Sequence, residues 1–128
     1  MKTNIQIRAP DKVVYPESSY AVIGAAFKVF NDIGYGASEK LYQRALARVL
    51  EQEGISFERE RMVEVAYRDK LIGRCFLDFI VDKKIVVELK VRPKFGYTHI
   101  KQVVDYLKTA DFKLAMLIYF TREGVKYR

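Results

Sequence analysis

The chain has 128 residues, of which 50% are hydrophobic, so it is long and apolar enough for one domain with a single core and is not a disordered segment. Its one cysteine, Cys75, excludes an internal disulfide framework and suits the reducing cytoplasm, where we expect the protein to work. No apolar run approaches the roughly 18 residues of a membrane span, so we expect no membrane partner. The formal net charge of +7 favours a polyanionic partner such as nucleic acid.

The first part of the chain predicts an arm followed by two amphipathic helices. Residues 1–15 are polar and irregular, and we expect an extended arm or a short edge strand there. The pattern then predicts a helix over about residues 18–32, capped by Ser18 or Ser19, and a second helix over about residues 38–53. The apolar positions that recur at helical spacing, and are predicted to face the core, are Val22, Ile23, Ala26, Phe27, Phe30, Ile33, Leu41, Tyr42, Ala45, Leu46, Val49 and Leu50.

Glu39 lies at the start of the second predicted helix and admits two interpretations. It is three residues before Tyr42, so it points towards the inward face of that helix. An acid in a first turn also interacts favourably with the helix dipole, and from periodicity alone we favour this simpler role.

The rest of the chain predicts a sheet. β-branched and aromatic runs with turn residues between them indicate strands, and the segment after Thr98 has helical spacing. The predicted elements are strands over 55–67, 71–81, 85–91 and 113–120, a helix over 99–109 and a short strand within 121–128. We therefore predict an α/β protein of the α+β mixed-sheet kind, in the order ααβββαβ, with residues 16–128 forming one domain.

The second and third strands carry the most unusual polar residues. Alternation places Glu88 and Lys90 on one face of the third strand. If the loop is the three residues 82–84, Asp78 lies opposite Glu88 and shares its face; a two-residue loop would send the two carboxylates to opposite faces. The first register gathers two acids and a lysine, where a divalent metal could bind. The alternative for Glu88 and Lys90 is a salt-bridged pair on a partly exposed strand.

These motifs resemble the PD-(D/E)xK nuclease superfamily. Its pattern has an acid on the second core strand, here Asp78, and Glu-x-Lys on the third, here residues 88–90. Residues 36–42, Gly-Ala-Ser-Glu-Lys-Leu-Tyr, match the GxxExxY pattern that names one small family within it. Residues 102–106, Gln-Val-Val-Asp-Tyr, match the QxxxY element of RecB-like members. The resemblance implies a restriction-endonuclease-like core, although Leu77 stands where the pattern has proline.

The resemblance implies a Mg²⁺- or Mn²⁺-dependent nuclease, either an endonuclease or an exonuclease, because a cation held by carboxylates supports phosphodiester hydrolysis. The implied metal ligands are Asp78, Glu88, the backbone carbonyl of Leu89 and, directly or through water, Glu39. The resemblance also implies that Lys90 positions or deprotonates the attacking water and offsets charge in the transition state. Gln102 would orient that water or Lys90, and Tyr106 would help shape the site or contact phosphate. His99, the one histidine, we interpret as a solvated residue at a helix start.

Basic residues are predicted on the loops around this site, where they would bind backbone phosphate without reading sequence. They are Lys83, Lys84, Arg92, Lys94 and Lys101. The substrate we expect is nucleic acid, DNA rather than RNA, and a homodimer remains open. The alternative function is a nucleic-acid-binding module of the same fold whose cleavage is absent or depends on a partner chain.

Overall fold

A computed structural model describes residues 15–95 and 112–128. Residues 1–14 and 96–111 lie outside this part, and with them the predicted arm and the predicted helix over 99–109. The described elements, in chain order, are α1 (Pro16–Ile33), α2 (Glu39–Gln52), β1 (Phe57–Tyr67), β2 (Lys70–Val81), β3 (Ile85–Val91), β4 (Leu114–Thr121) and β5 (Gly124–Tyr127). The predicted α+β mixed-sheet class is confirmed.

The start of α1 differs from the prediction. The helix begins at Pro16, whose fixed backbone angle suits the first helical position, and Tyr15 precedes it in the left-handed region with a φ of 52°. Ser18 and Ser19 are therefore not caps. The Ser18 hydroxyl donates instead to the Asp82 carboxylate at 2.5 Å and so ties α1 to the loop between β2 and β3.

The second helix begins as predicted. Ser38 is the N-cap of α2, and its hydroxyl accepts the backbone N–H of Leu41 at 3.1 Å. Three apolar positions predicted to face the core, Phe27 and Ile33 in α1 and Leu41 in α2, are instead 42%, 36% and 46% exposed. The buried face of each helix instead includes smaller or polar residues that were not predicted to be buried. These are Ser19 and Ala25 in α1, and Gln43 and Ala47 in α2.

The described strands form one five-stranded sheet in the order β1-β2-β3-β4-β5. Neighbouring strands run antiparallel except β3 and β4, which are parallel. The two helices pack on one face, where the main core includes Phe79, Val87, Leu89 and Phe120. The other face carries smaller buried clusters built around Val86, Leu117 and Tyr119. β4 is thus buried on both sides, as its unbroken apolar run predicts.

The hairpin of β1 and β2 extends past the part of the sheet where β2 pairs with β3. Its two-residue turn, Arg68 and Asp69, has both residues at positive φ, which matches the twist of a tight hairpin. The pairing shifts register beside Gly73, a residue type that often marks a bulge within a strand. β3 pairs with β2 only at residues 79–81 of β2. Residues 61–76 therefore form a two-stranded ribbon that no third described strand borders.

Candidate active site

The predicted three-residue loop is present. Val81 pairs with Ile85 and Phe79 with Val87, so residues 82–84 form the loop and Asp78 falls opposite Glu88. The regular pairing of β2 with β3 stops just before these two acids. Beyond that point the strands are joined through side chains, which places both carboxylates between the two backbones.

Two hydrogen bonds define this arrangement. The backbone N–H of Asp78 donates to the Glu88 carboxylate at 2.6 Å, and the backbone N–H of Leu89 donates to the Asp78 carboxylate at 2.8 Å. Each acid thus binds the opposite strand with one carboxylate oxygen. The second oxygen of each carboxylate takes part in neither of these bonds and remains able to accept a proton or bind a cation.

Both carboxyl groups titrate abnormally. The pKa of Glu88 is raised to about 7, first by burial and next by the neighbouring charge of Asp78, while the hydrogen bond from the Asp78 backbone N–H and the charge of Lys90 lower it. Burial also raises the pKa of Asp78, against the Leu89 N–H bond that lowers it. Only 8% of Glu88 is exposed. Two buried carboxylates that repel each other form a local negative potential suited to a cation.

Two basic residues act on this pair. Lys90 follows Glu88 by two positions on β3, and its charge favours ionisation of both Asp78 and Glu88. Arg59 on β1 pairs with Phe79, next to Asp78, and its charge also acts on Asp78. Arg59 was not predicted as a site residue from the sequence. Its place next to Asp78 follows only from the register of β1 against β2, which the sequence does not reveal.

Glu39 reaches the same region from α2, with its charge acting on both Asp78 and Glu88. Its carboxylate lies 4.0 Å from the Arg92 guanidinium, and 37% of its side chain is exposed. Within residues 15–95 and 112–128, no three His, Cys, Asp or Glu side chains are grouped closely enough to hold one metal ion. Glu39 lies beside Arg92 in this arrangement, and its part as a metal ligand, directly or through water, stays a prediction.

The segment from Gly36 to Tyr42 holds the start of α2 against the sheet. Gly36 has a φ of 115°, a conformation that residues with side chains rarely adopt. The Tyr42 ring is fully buried and stacks on Phe120 with centroids 4.3 Å apart, and its hydroxyl donates to the Gly34 carbonyl. Tyr42 thus fixes the start of α2 against the sheet. Glu39, one turn earlier, is directed by this anchor.

The predicted phosphate-binding residues lie at the two ends of β3. Lys83 and Lys84 belong to the loop before it, where the Lys84 ammonium lies 5.0 Å from the centre of the Tyr15 ring. Arg92 and Lys94 follow its last residue and are exposed. Four further predicted residues, His99, Lys101, Gln102 and Tyr106, lie outside the described residues.

A sheet with strands parting over two acids, followed two residues later by a lysine, defines a PD-(D/E)XK type of site. A family profile of the PD-(D/E)XK nuclease superfamily matches residues 16–127. The chain belongs to this superfamily. The narrower GxxExxY assignment stays a prediction.

Comparison with solved structures supports the fold. The crystal structure of SSO0001 is similar with a TM-score of 0.53 and 20% sequence identity, covering 96% of this chain. The chain spans 59% of the length of that protein. No curated protein matches the chain. Among the helices described, none is both long and apolar enough to cross a membrane.

Proposed function

We propose that this chain is a metal-dependent nuclease that hydrolyses phosphodiester bonds of nucleic acid. The observation that supports this most strongly is the pairing of Asp78 with Glu88 between separated strands, with Lys90 two residues further along. A structural pair of acids would gain nothing from burial and mutual repulsion. A hydrolytic site gains a cation-binding position.

The donor set fits Mg²⁺ or Mn²⁺. Asp78 and Glu88 offer carboxylate oxygens, and hard divalent cations of this size are commonly bound by one or two carboxylates with water in the remaining positions. We propose Asp78, Glu88 and the Leu89 carbonyl as ligands, with Glu39 acting through a bridging water. When bound, the cation supplies positive charge to the phosphate and lowers the pKa of water.

The remaining residues have separate roles in this proposal. Lys90 holds the attacking water and offsets negative charge on the phosphate oxygens as the bond to the leaving oxygen breaks. Gln102 would orient this water, and Tyr106 would shape the site. These two assignments are carried over from the superfamily pattern alone.

DNA is the substrate that we propose, in the cytoplasm that the lone Cys75 favours. The net charge of +7 supports a polyanion of either kind. A homodimer is compatible with the ribbon, whose facing residues Met62 and Phe76 are 42% and 63% exposed. Light scattering on the purified protein would test that association directly.

Labelled oligonucleotides test the proposal. We expect the parent protein to cleave DNA in Mg²⁺ or Mn²⁺ and not in EDTA, with single-stranded, duplex and RNA substrates compared side by side. Lys90→Ala should reduce the rate at least about a hundredfold, because general acid–base and electrostatic groups contribute on that scale. Equal cleavage by the parent and Lys90→Ala would overturn the proposal.

The second candidate is a nucleic-acid-binding module that does not cleave unaided. It is favoured by one observation: the Glu39 carboxylate lies 4.0 Å from the Arg92 guanidinium, and the described residues include no group of three carboxylates that could hold a metal ion. Such a module would bind oligonucleotides in EDTA and in Mn²⁺ alike. Retention of binding without turnover in every metal would select it.

A further inference from the structure

Arg59 is placed unusually for a basic residue of β1. Its side chain is only partly exposed, and its guanidinium carbon lies 5.4 Å from the centre of the Phe79 ring. Phe79 is fully buried in the core on the helix side of the sheet. The guanidinium is therefore held by a rigid aromatic face instead of extending into solvent.

The Nε atom of Arg59 is buried and has no hydrogen-bond partner within the described part of the chain. A buried donor without a partner costs free energy, so such a group in a native fold calls for an explanation. Nε–H and the adjacent Nη–H form one edge of the guanidinium, and this edge matches two oxygens of a phosphate.

The backbone is irregular next to Arg59, opposite one acid of the site. Glu60, the next residue, has a φ of 53° and interrupts the ladder between the pairs Arg59–Phe79 and Arg61–Leu77. The residue facing Glu60 across this break is Asp78. A local distortion of this kind commonly redirects side chains near functional sites. Its partner Lys40, at 3.1 Å, holds Glu60 from α2.

We propose that Arg59 is a second phosphate-binding residue of the site, taking a non-bridging oxygen of the nucleic-acid backbone beside Asp78. Arg59 and Lys90 then contact the substrate from β1 and β3, on either side of the acid carried by β2. This assignment rests on the proposed nuclease function and adds a substrate contact that the superfamily motifs do not include.

Binding measurements with uncleaved substrate test this role. In a Lys90→Ala background with Mn²⁺, Arg59→Gln should weaken oligonucleotide affinity roughly ten- to a hundredfold, as expected for a charged hydrogen bond. The salt dependence of affinity should fall by about one phosphate equivalent. Arg61→Gln is the matched control, since Arg61 lies two residues along the same strand but is exposed and pairs with Glu58 at 3.4 Å. It should change affinity less than about threefold, because an exposed pair contributes little.

Substrates with one neutral methylphosphonate identify the phosphate involved. One position should weaken binding when Arg59 is present and have no further effect in Arg59→Gln, whereas a structural role would leave the penalty unchanged at every position. Arg59→Lys keeps a cation over Phe79 without the Nε donor. It serves as a second variant should Arg59→Gln misfold. In Arg59→Lys too, the methylphosphonate at that position should have no further effect on binding.

The outcomes separate this inference from the proposed function. If the parent binds and cleaves while Arg59→Gln binds equally well with an unchanged methylphosphonate pattern, the role of Arg59 falls alone. If the parent binds no oligonucleotide, the nuclease proposal falls and the Arg59 inference with it.

Discussion

At the scale of single residues, Asp78 and Glu88 combine a structural and a chemical task. Each carboxylate accepts a backbone N–H from the opposite strand and so replaces ladder bonds where β2 and β3 part. Burial also raises the pKa of each carboxyl group, which means that the ionised carboxylates destabilise the metal-free site. Removing charge without removing the hydrogen bond isolates the second task from the first.

Asp78→Asn performs that separation. The amide oxygen can still accept the Leu89 N–H, while the repulsion with Glu88 disappears. We expect the metal-free variant to be as stable as the parent or about 1 kcal/mol more stable, which corresponds to a few degrees in Tm. The rise in Tm that Mn²⁺ gives the parent, which comes from binding to the folded state only, should be lost.

Asp69→Asn is the matched control, because Asp69 lies exposed in the turn between β1 and β2. It should leave both the metal-free Tm and the Mn²⁺ shift unchanged. Calorimetry in EDTA and in Mn²⁺ measures both quantities. A clear loss of metal-free stability in Asp78→Asn would show that its charge stabilises the fold.

Glu88 predicts a pH dependence of stability. Its folded pKa of about 7 lies above the ordinary value of 4.5, so the folded state binds this proton more tightly than the unfolded state. Its contribution is fully present below about pH 4.5 and is lost as pH rises through 7. Urea unfolding in EDTA between pH 5 and 8.5 should therefore show a decline in the parent that Glu88→Gln reduces. Parallel curves for the two proteins would contradict the shifted pKa.

At the scale of elements, α2 positions Glu39 near the sheet. Ser38 caps it, and Tyr42 anchors its first turn on Phe120. The next turns bury Leu46 and Leu50 completely in the main core. The position of Glu39 therefore depends on packing several residues away from the acid itself.

Two leucines of α2 test this packing. Leu46→Ala should lower the free energy of unfolding by about 2–5 kcal/mol, because a fully buried side chain leaves a cavity. Leu41→Ala, in the same helix but 46% exposed, should cost less than about 1 kcal/mol. Chemical denaturation of both variants measures the difference. Equal losses would place Leu41 in the core after all.

Sequence patterns were most informative where one physical effect dominates. β3 has its predicted bounds, because a buried strand between a polar loop and Pro93 leaves little choice. The register of Asp78 against Glu88 followed from the loop length and the alternation of faces. The order of the described elements was predictable from the periodicity of apolar residues and the turn residues between them.

Other features depend on contacts between distant segments. The start of α1 at Pro16 was missed since Ser18, a good cap by composition, binds Asp82 across the fold. Phe27 and Leu41 were placed in the core because hydropathy gives no weight to small residues such as Ala25, which allow a helix to approach closely. Arg59 could be related to the acids only through the β1 register.

At the scale of the whole molecule, the predicted phosphate contacts define a footprint. Lys84 and Arg92 bracket β3 and are eight positions apart, which corresponds to roughly 26 Å along an extended strand. Glu88 lies midway between them. A duplex bound along this line would reach both ends only if it covered about eight base pairs.

A length series of duplexes tests this footprint. Affinity should rise steeply up to about eight to ten base pairs and then only slowly, because each added phosphate contact releases counterions. Replacing both Lys83 and Lys84 with alanine should flatten the rise at its upper end. Affinity that does not depend on length from four base pairs upward would rule out binding along β3.

A metal-dependent site at Asp78 and Glu88 is tested most directly by cleavage of labelled DNA by the parent, Asp78→Asn and Lys90→Ala, with Tm measured on the same samples with and without Mn²⁺. We expect metal-dependent cleavage by the parent only. Lys90→Ala should keep most of the Mn²⁺ shift in Tm and lose cleavage, and Asp78→Asn should lose both. A parent with no Mn²⁺ shift, together with unchanged cleavage in Lys90→Ala, would contradict a metal-dependent site at Asp78 and Glu88.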